Sequence, residues 1–224
     1  MKNVFVTFAL VCLVTACGGP AAQATLTSVP TEIQPSPTTE LPAVAPTVTA
    51  TLEPTVTSEP VLDVFAQMGI TLPAPVCTVL TQAQTEGPYY KPDTPKRNSL
   101  FEAGMSGTRL ILVGYVLDQN CQPLPNAWLD FWQADANGAY DTAGYRLRGH
   151  QFTDGQGRYY LETILPGLYS SRPIEHIHVK VRPEAGQEIT SQLYFPGQPV
   201  EGLTVTLEDR GDYQVGYFNF VVPR

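Results

Sequence analysis

His176-Ile177-His178-Val179-Lys180-Val181-Arg182 is the stretch on which the reading of this chain turns. Side chains alternate between faces along a strand, so Ile177, Val179 and Val181 share one side and the two histidines share the other. Three aliphatics in register mark the first side as the core face. The imidazoles then sit on the opposite face with Cα atoms about 6.5–7 Å apart by the strand rise. That is near enough for both rings to converge on one ion. An H-x-H pair by itself fits two surface histidines on a polar strand face equally well.

Working outward, the neighbouring segments have the same short, alternating or β-branched character. Residues 109–117, 126–133, 144–152, 158–164, 189–195, 203–207 and 213–222 each read as a strand. Thr153-Asp154-Gly155-Gln156-Gly157 is hairpin chemistry between two of them. The one helix candidate of any length lies near residues 61–68, ahead of the core. Eight short strands parted by Gly, Pro and Asp turns predict an all-β fold, a two-sheet antiparallel β-sandwich of about eight strands with a disordered N-terminal tether.

The tether follows from the first quarter of the 224 residues. Residues 1–16 hold Lys2, a short apolar run and small residues before Cys17, which is an export signal too short to span a bilayer comfortably. Val14-Thr15-Ala16-Cys17 also resembles a bacterial lipobox, in which Cys17 is lipidated; an ordinary signal peptide is the alternative. Residues 17–60 form a Pro/Thr-rich linker, with eight Pro and ten Thr after Cys17 and neither Lys, Arg nor any aromatic. Such a segment cannot offset the entropy of ordering and stays extended. The folded domain is expected over residues 61–224. The expected location is extracytoplasmic, with contact to the membrane through the lipid anchor only.

Lys and Arg number 13 against 21 Asp and Glu, a net charge of -8. A chain so acidic lacks the basic stripe that nucleic acid requires. Two of its four cysteines, Cys77 and Cys121, fall in the folded part. In an oxidising compartment they are expected to pair, tying the N-terminal arm to the first hairpin. Two buried thiols are the alternative.

Around the histidines the candidate donors are phenols. Tyr169 follows Pro166-Gly167-Leu168, seven residues before His176, and Tyr140 lies in Asn137-Gly138-Ala139-Tyr140-Asp141. Glu175 would point away from the histidine face. Two neutral imidazoles and two anionic oxygens suit a hard Lewis acid such as Fe(III). Each tyrosine alone also fits a sandwich core or corner.

Gln84-Thr85-Glu86-Gly87-Pro88-Tyr89-Tyr90, Trp132-Gln133-Ala134-Asp135-Ala136-Asn137-Gly138-Ala139-Tyr140, Leu165-Pro166-Gly167-Leu168-Tyr169, His176-Ile177-His178 and Thr190-Ser191-Gln192-Leu193-Tyr194-Phe195 run in the order seen in intradiol ring-cleavage dioxygenases. The chain resembles that family over about residues 75–200, and most of all its small, exported, lipoprotein-type members. The resemblance implies a non-haem Fe(III) held by Tyr140, Tyr169, His176 and His178, with Tyr169 as the tyrosinate that leaves when substrate arrives. It implies that Arg172 stabilises charge developing on the ring, that Gln192 orients the reacting groups, and that Thr85, Tyr89 and Tyr90 line the pocket. Arg172-Pro173 stands one residue further from the first histidine than in the better-known members.

The implied partners are a small aromatic diol and O2, and the implied product is a cis,cis-muconate-type dicarboxylic acid. The metal would act as Lewis acid and template. Relatives pairing through N-terminal arms allow a homodimer. The alternative from a different class is a non-catalytic extracytoplasmic β-sandwich binding module, transthyretin-like or carboxypeptidase-regulatory-like, since sandwiches host many functions. His150 is expected in an exposed loop. Asp130 and Asp135 are expected to cap turns or face solvent. Lys91, Arg146 and Arg148 are the candidate cations for a carboxylated substrate.

Overall fold

The computed structural model describes residues 63–77, 79–169 and 172–224. The expected signal peptide, Cys17 and the Pro/Thr-rich linker lie outside the described residues. Among those described, one short helix, α1 (Val64–Gln67), precedes nine strands. In chain order these are β1 (Arg109–Leu117), β2 (Trp128–Gln133), β3 (Arg148–Phe152), β4 (Arg158–Ile164), β5 (His176–Arg182), β6 (Ile189–Tyr194), β7 (Thr206–Asp209), β8 (Tyr213–Tyr217) and β9 (Phe220–Val221).

They form two sheets, ordered β4-β1-β8-β7 with β9 also on β1, and β3-β2-β5-β6. The second sheet is antiparallel throughout. The first is mixed, because β8 and β9 both run parallel to β1. Hydrophobic alternation fixes which face of a strand is buried but not its direction. The run expected at residues 213–222 is broken between β8 and β9 at Phe218 and Asn219. There Tyr115 N–H donates to the Asn219 side chain at 3.1 Å.

Leu110, Leu112, Tyr159 and Leu161 from the first sheet meet Leu129, Phe131, Ile177, Val179, Val181 and Leu193 from the second, forming one contiguous core. Burying each such side chain contributes about 1.5–3 kcal/mol. The outer face of the first sheet is also covered: Phe65 and Ile70 of the N-terminal arm pack on Ile111, Val113 and Val215. Asp63 caps α1 by accepting from Phe65 N–H at 2.9 Å, and Arg158 pairs with the same carboxylate at 2.6 Å. The arm ends at Cys77, which is joined to Cys121 between β1 and β2.

The outer face of the second sheet carries the site. Cross-strand register lines its side chains in transverse rows: His150, Asp130, Lys180 and Thr190 form one, and Arg148, Trp132, His178 and Gln192 the next. A strap over residues 82–97 crosses this face. It starts at the β6 edge, where Gln84 N–H donates to Thr190 O and the Ser191 hydroxyl donates to Gln82 O. It ends at the β3 edge, where Arg97 N–H donates to His150 O and His150 N–H donates to Pro95 O. On the polar side of β5, His176, His178 and Lys180 are buried like the aliphatic side, while Arg182 is exposed.

Candidate metal centre

β5 delivers His176 and His178 to the same face, where both are almost fully buried. Their Nε2 atoms are 3.1 Å apart. His176 Nδ1 lies 2.7 Å from the carbonyl of Ile174. A carbonyl only accepts, so that nitrogen carries the hydrogen and Nε2 turns a lone pair inward. His178 lies flat against Trp132, with ring centroids 4.8 Å apart and planes 8° from parallel. Burial pushes the pKa of His176 down. It lowers that of His178 to about 2, reinforced by His176, Arg172 and Arg148. Both rings are therefore neutral near pH 7, the state in which imidazole binds metal.

The two tyrosines come from turns packed backbone to backbone. Asp135 O accepts from Gly138 N–H at 3.0 Å and from Gly167 N–H at 2.8 Å. Gly138 has φ +78, and a Cβ there would stand 2.0 Å from Leu168 O, so only glycine fits. The Asp135 carboxylate holds the first turn by accepting from Asn137 and Ala139 N–H, both at 2.9 Å. In this arrangement Tyr140 Oη lies 3.4 Å from His176 Nε2. The Tyr169 ring stands edge-on to Tyr140 at 5.8 Å and lies 6.0 Å from His176. Burial, then the neighbouring Tyr169, raises the Tyr140 phenol pKa, with Arg172 and Arg148 opposing.

Arg172 Nη2 donates to Gln192 Oε1 at 2.5 Å and to Tyr194 Oη at 2.9 Å. Gln192 Nε2 donates to Thr85 O at 2.6 Å. Tyr89 stacks on Tyr140, centroids 4.3 Å apart and 11° from parallel, and meets Tyr169 edge-on at 6.3 Å. Eight of the nine residues expected at the site thus share one neighbourhood: Tyr140, Tyr169, His176, His178, Arg172, Gln192, Thr85 and Tyr89.

Tyr90 is the exception. It turns away from the phenols, donates to Asp130 Oδ2 at 3.2 Å and packs on Trp132 at 4.8 Å. Its neighbour Tyr89 takes the place beside the phenols. Asp130 neither caps a turn nor meets solvent; it is buried and also accepts from the Thr94 hydroxyl at 2.7 Å. Burial raises its pKa against the pull of those bonds. His150 lies in β3 rather than an exposed loop, with Nδ1 2.7 Å from Thr94 O.

The candidate substrate cations are engaged elsewhere. Arg148 is buried and donates to Tyr89 O at 2.6 Å and to Asp141 O at 2.9 Å, bracing both neighbours of the phenol pair. Lys91 donates to Ala143 O and Gly144 O, at 2.6 and 3.0 Å. Arg146 lies 3.8 Å from the Asp135 carboxylate. Sequence reasoning did not single out Trp132, Lys180 or Thr94. Lys180 was within its reach, since strand parity puts it on the histidine face.

Among the described residues no group of three His, Cys, Asp or Glu side chains gathers for a metal. The donor set here is imidazole and phenol. Two nitrogens each about 2.0–2.1 Å from one ion, the usual imidazole–metal distance, and at right angles to each other would lie about 3 Å apart. The observed 3.1 Å matches that separation, and in the metal-free site the same distance lets His178 Nε2–H donate to the inward lone pair of His176.

The fold and these residues define an all-β protein with an imidazole–phenol site on the outer face of one sheet. Residues 85–204 match the family described as "Dioxygenase". The dioxygenase domain of a dioxygenase–carbohydrate-binding protein fusion from the cellulolytic bacterium Streptomyces sp. SirexAA-E is 44% identical, superposing with a TM-score of 0.62 over 65% of this chain and 99% of that one. 3-Chlorocatechol 1,2-dioxygenase from Rhodococcus opacus 1CP superposes at 0.58 with 28% identity, over 63% of this chain and 71% of that one. By sequence, the protocatechuate 3,4-dioxygenase beta chain of Burkholderia cepacia is 31% identical over 46% of this chain and 52% of its own length. Catechol 1,2-dioxygenase of Acinetobacter baylyi is 31% identical over 53% and 47%. The chain spans about half the length of these curated relatives. It belongs to the intradiol ring-cleavage dioxygenase family.

Proposed function

We propose that this protein is a non-haem Fe(III) intradiol dioxygenase that inserts both atoms of O2 into a catechol-type ring to give a cis,cis-muconate-type dicarboxylic acid. One observation carries the reading: the Nε2 atoms of two buried, neutral imidazoles 3.1 Å apart with a phenol oxygen 3.4 Å from one of them. His176, His178, Tyr140 and Tyr169 would hold the iron. Bound there, it supplies Lewis acidity that makes a chelated diol reactive toward O2.

The protein's own groups do the rest. Tyr169, half-buried beside exposed Leu168, would be a phenolate while it holds the metal, and its Oη could then take one proton from the incoming diol. Arg172 is held by two neutral groups, Gln192 and Tyr194, so its charge remains uncompensated and offers stabilisation where negative charge develops on the ring. Tyr89 packs on Tyr140 and keeps that phenol from swinging out. We further propose export and lipidation at Cys17.

Ferric ion added to the purified protein is expected to give a visible tyrosinate charge-transfer band, which catechol added without oxygen would shift. Admitting O2 should then consume one equivalent per ring and yield the diacid by mass. Protein that takes up no ferric ion and stays colourless would overturn the reading and favour a binding module.

A further inference from the structure

The row next to His178 holds a charge that neither the core nor the proposed chemistry accounts for. Lys180 is only 8% exposed. Burying an ammonium is costly unless every donor is paired. Here the three N–H groups go to Glu86 Oε2 at 2.8 Å, Thr190 Oγ1 at 2.9 Å and Glu188 Oε1 at 3.2 Å. The Tyr90 ring covers Nζ, with its centroid 4.7 Å away. An aliphatic side chain would fill the same place without needing four partners.

Two of those partners, Glu86 and Tyr90, belong to the strap. They bracket Gly87-Pro88-Tyr89, the part that reaches the candidate ligands. Gly87 lies over His178, since a Cβ there would stand 3.5 Å from its Cε1, and Tyr89 stacks on Tyr140. Gly87 and Pro88 have no polar side chain of their own to hold them down. On one side of the bracket the nearest fastening is Gln192 to Thr85; inside it Arg148 donates to Tyr89 O, and on the other side Tyr90 and Thr94 bond to Asp130.

We propose that Lys180 is a positioning residue of the site: by gripping Glu86 and seating Tyr90 it presses Gly87 and Tyr89 against His178 and Tyr140. The function of the grip rests on the ferric reading above, but its existence does not, and the experiment separates the two. Amide hydrogen exchange is measured on the full chain without metal, comparing wild type with Lys180→Met, Lys180→Arg and Glu86→Gln. Loss of ferric ion to a chelator is then timed for each.

In Lys180→Met the amides of residues 85–90, Pro88 aside, are expected to exchange at least about ten-fold faster while those of β1 and β2 keep their rates. Ferric ion should leave about five-fold faster or more, as when other supporting groups of metal ligands are lost. Lys180→Arg should restore both to within about three-fold, since a guanidinium can reach both carboxylates. Glu86→Gln cuts the link from its solvent-exposed end without disturbing the interior, and should speed the same amides. Unchanged exchange over residues 85–90 in Lys180→Met or in Glu86→Gln would overturn the proposal. Wild-type protein that retains no ferric ion would instead sink the metal reading, with the exchange comparison still deciding the role of Lys180.

Discussion

Trp132 lies parallel to His178, ring on ring, because the two residues are register partners on adjacent strands and point to the same face. The stack restrains the rotation of a ring whose Nδ1 has no hydrogen-bond partner to fix it. Trp132→Phe keeps a ring there, and its ferric retention should stay within about three-fold of wild type. Trp132→Ala should lose about 3–5 kcal/mol in chemical denaturation and retain ferric ion poorly even where it folds. Equal retention by the two variants would remove the stack from the account.

The metal-free protein should weaken on acidification. His178 is held far below its ordinary pKa, so below about pH 6.5 the unfolded chain binds a proton there that the folded chain refuses. Its contribution is complete above the unfolded value and is lost as pH falls, by up to about 1.4 kcal/mol per pH unit. His176 is shifted the same way. Denaturant midpoints between pH 7.5 and 5 should therefore fall less steeply in His178→Gln.

Gln192 connects three groups: it accepts from Arg172 and Tyr194 and donates to Thr85. Gln192→Leu should cut kcat for catechol cleavage by about 10²–10³, the scale of losing one oriented charge-stabilising group. Tyr194→Phe leaves the Arg172–Gln192 bond in place and should cost less than about ten-fold. Steady-state oxygen uptake distinguishes the two.

Gly138→Ala would place a methyl into the Leu168 carbonyl at a backbone angle suited to glycine. Separation of the two turns should change the tyrosinate band of the ferric protein while melting moves by only a few degrees. An unaltered band would show that the turns tolerate a gap.

Replacing both Cys77 and Cys121 with Ser opens a bridge spanning 44 positions in sequence. The chain-entropy model puts the loss at about 4 kcal/mol. Guanidine denaturation with and without reductant checks it, and only the wild type should respond to reductant.

Much of this was readable beforehand. The alternation in β5 placed both histidines and the core at once, because strand parity is local. The turns bearing Tyr140 and Tyr169 were visible from their glycines. What escaped depends on register between strands distant in sequence. Trp132 meets His178, and Asp130 meets Lys180, only through the β2–β5 pairing. The strap was harder still. Residues 82–97 make a single isolated bridge to the sheet, Lys96 with His150, so no periodicity announces that they cover Asp130 and Lys180 or partly shield His150. For the same reason a segment without regular repeat does not reveal which of two adjacent tyrosines, Tyr89 or Tyr90, stacks on the phenols.

The parallel pairing of β1 with β8 and β9 sets the order of assembly. β1 sits between β4 and β8, yet its parallel neighbours arise about a hundred positions later. A nascent polypeptide halted before residue 213 would display that central ribbon with one flank bare. Closure of the first sheet must therefore wait until residues 213–221 have been made, and until then β1 has no partner on that side.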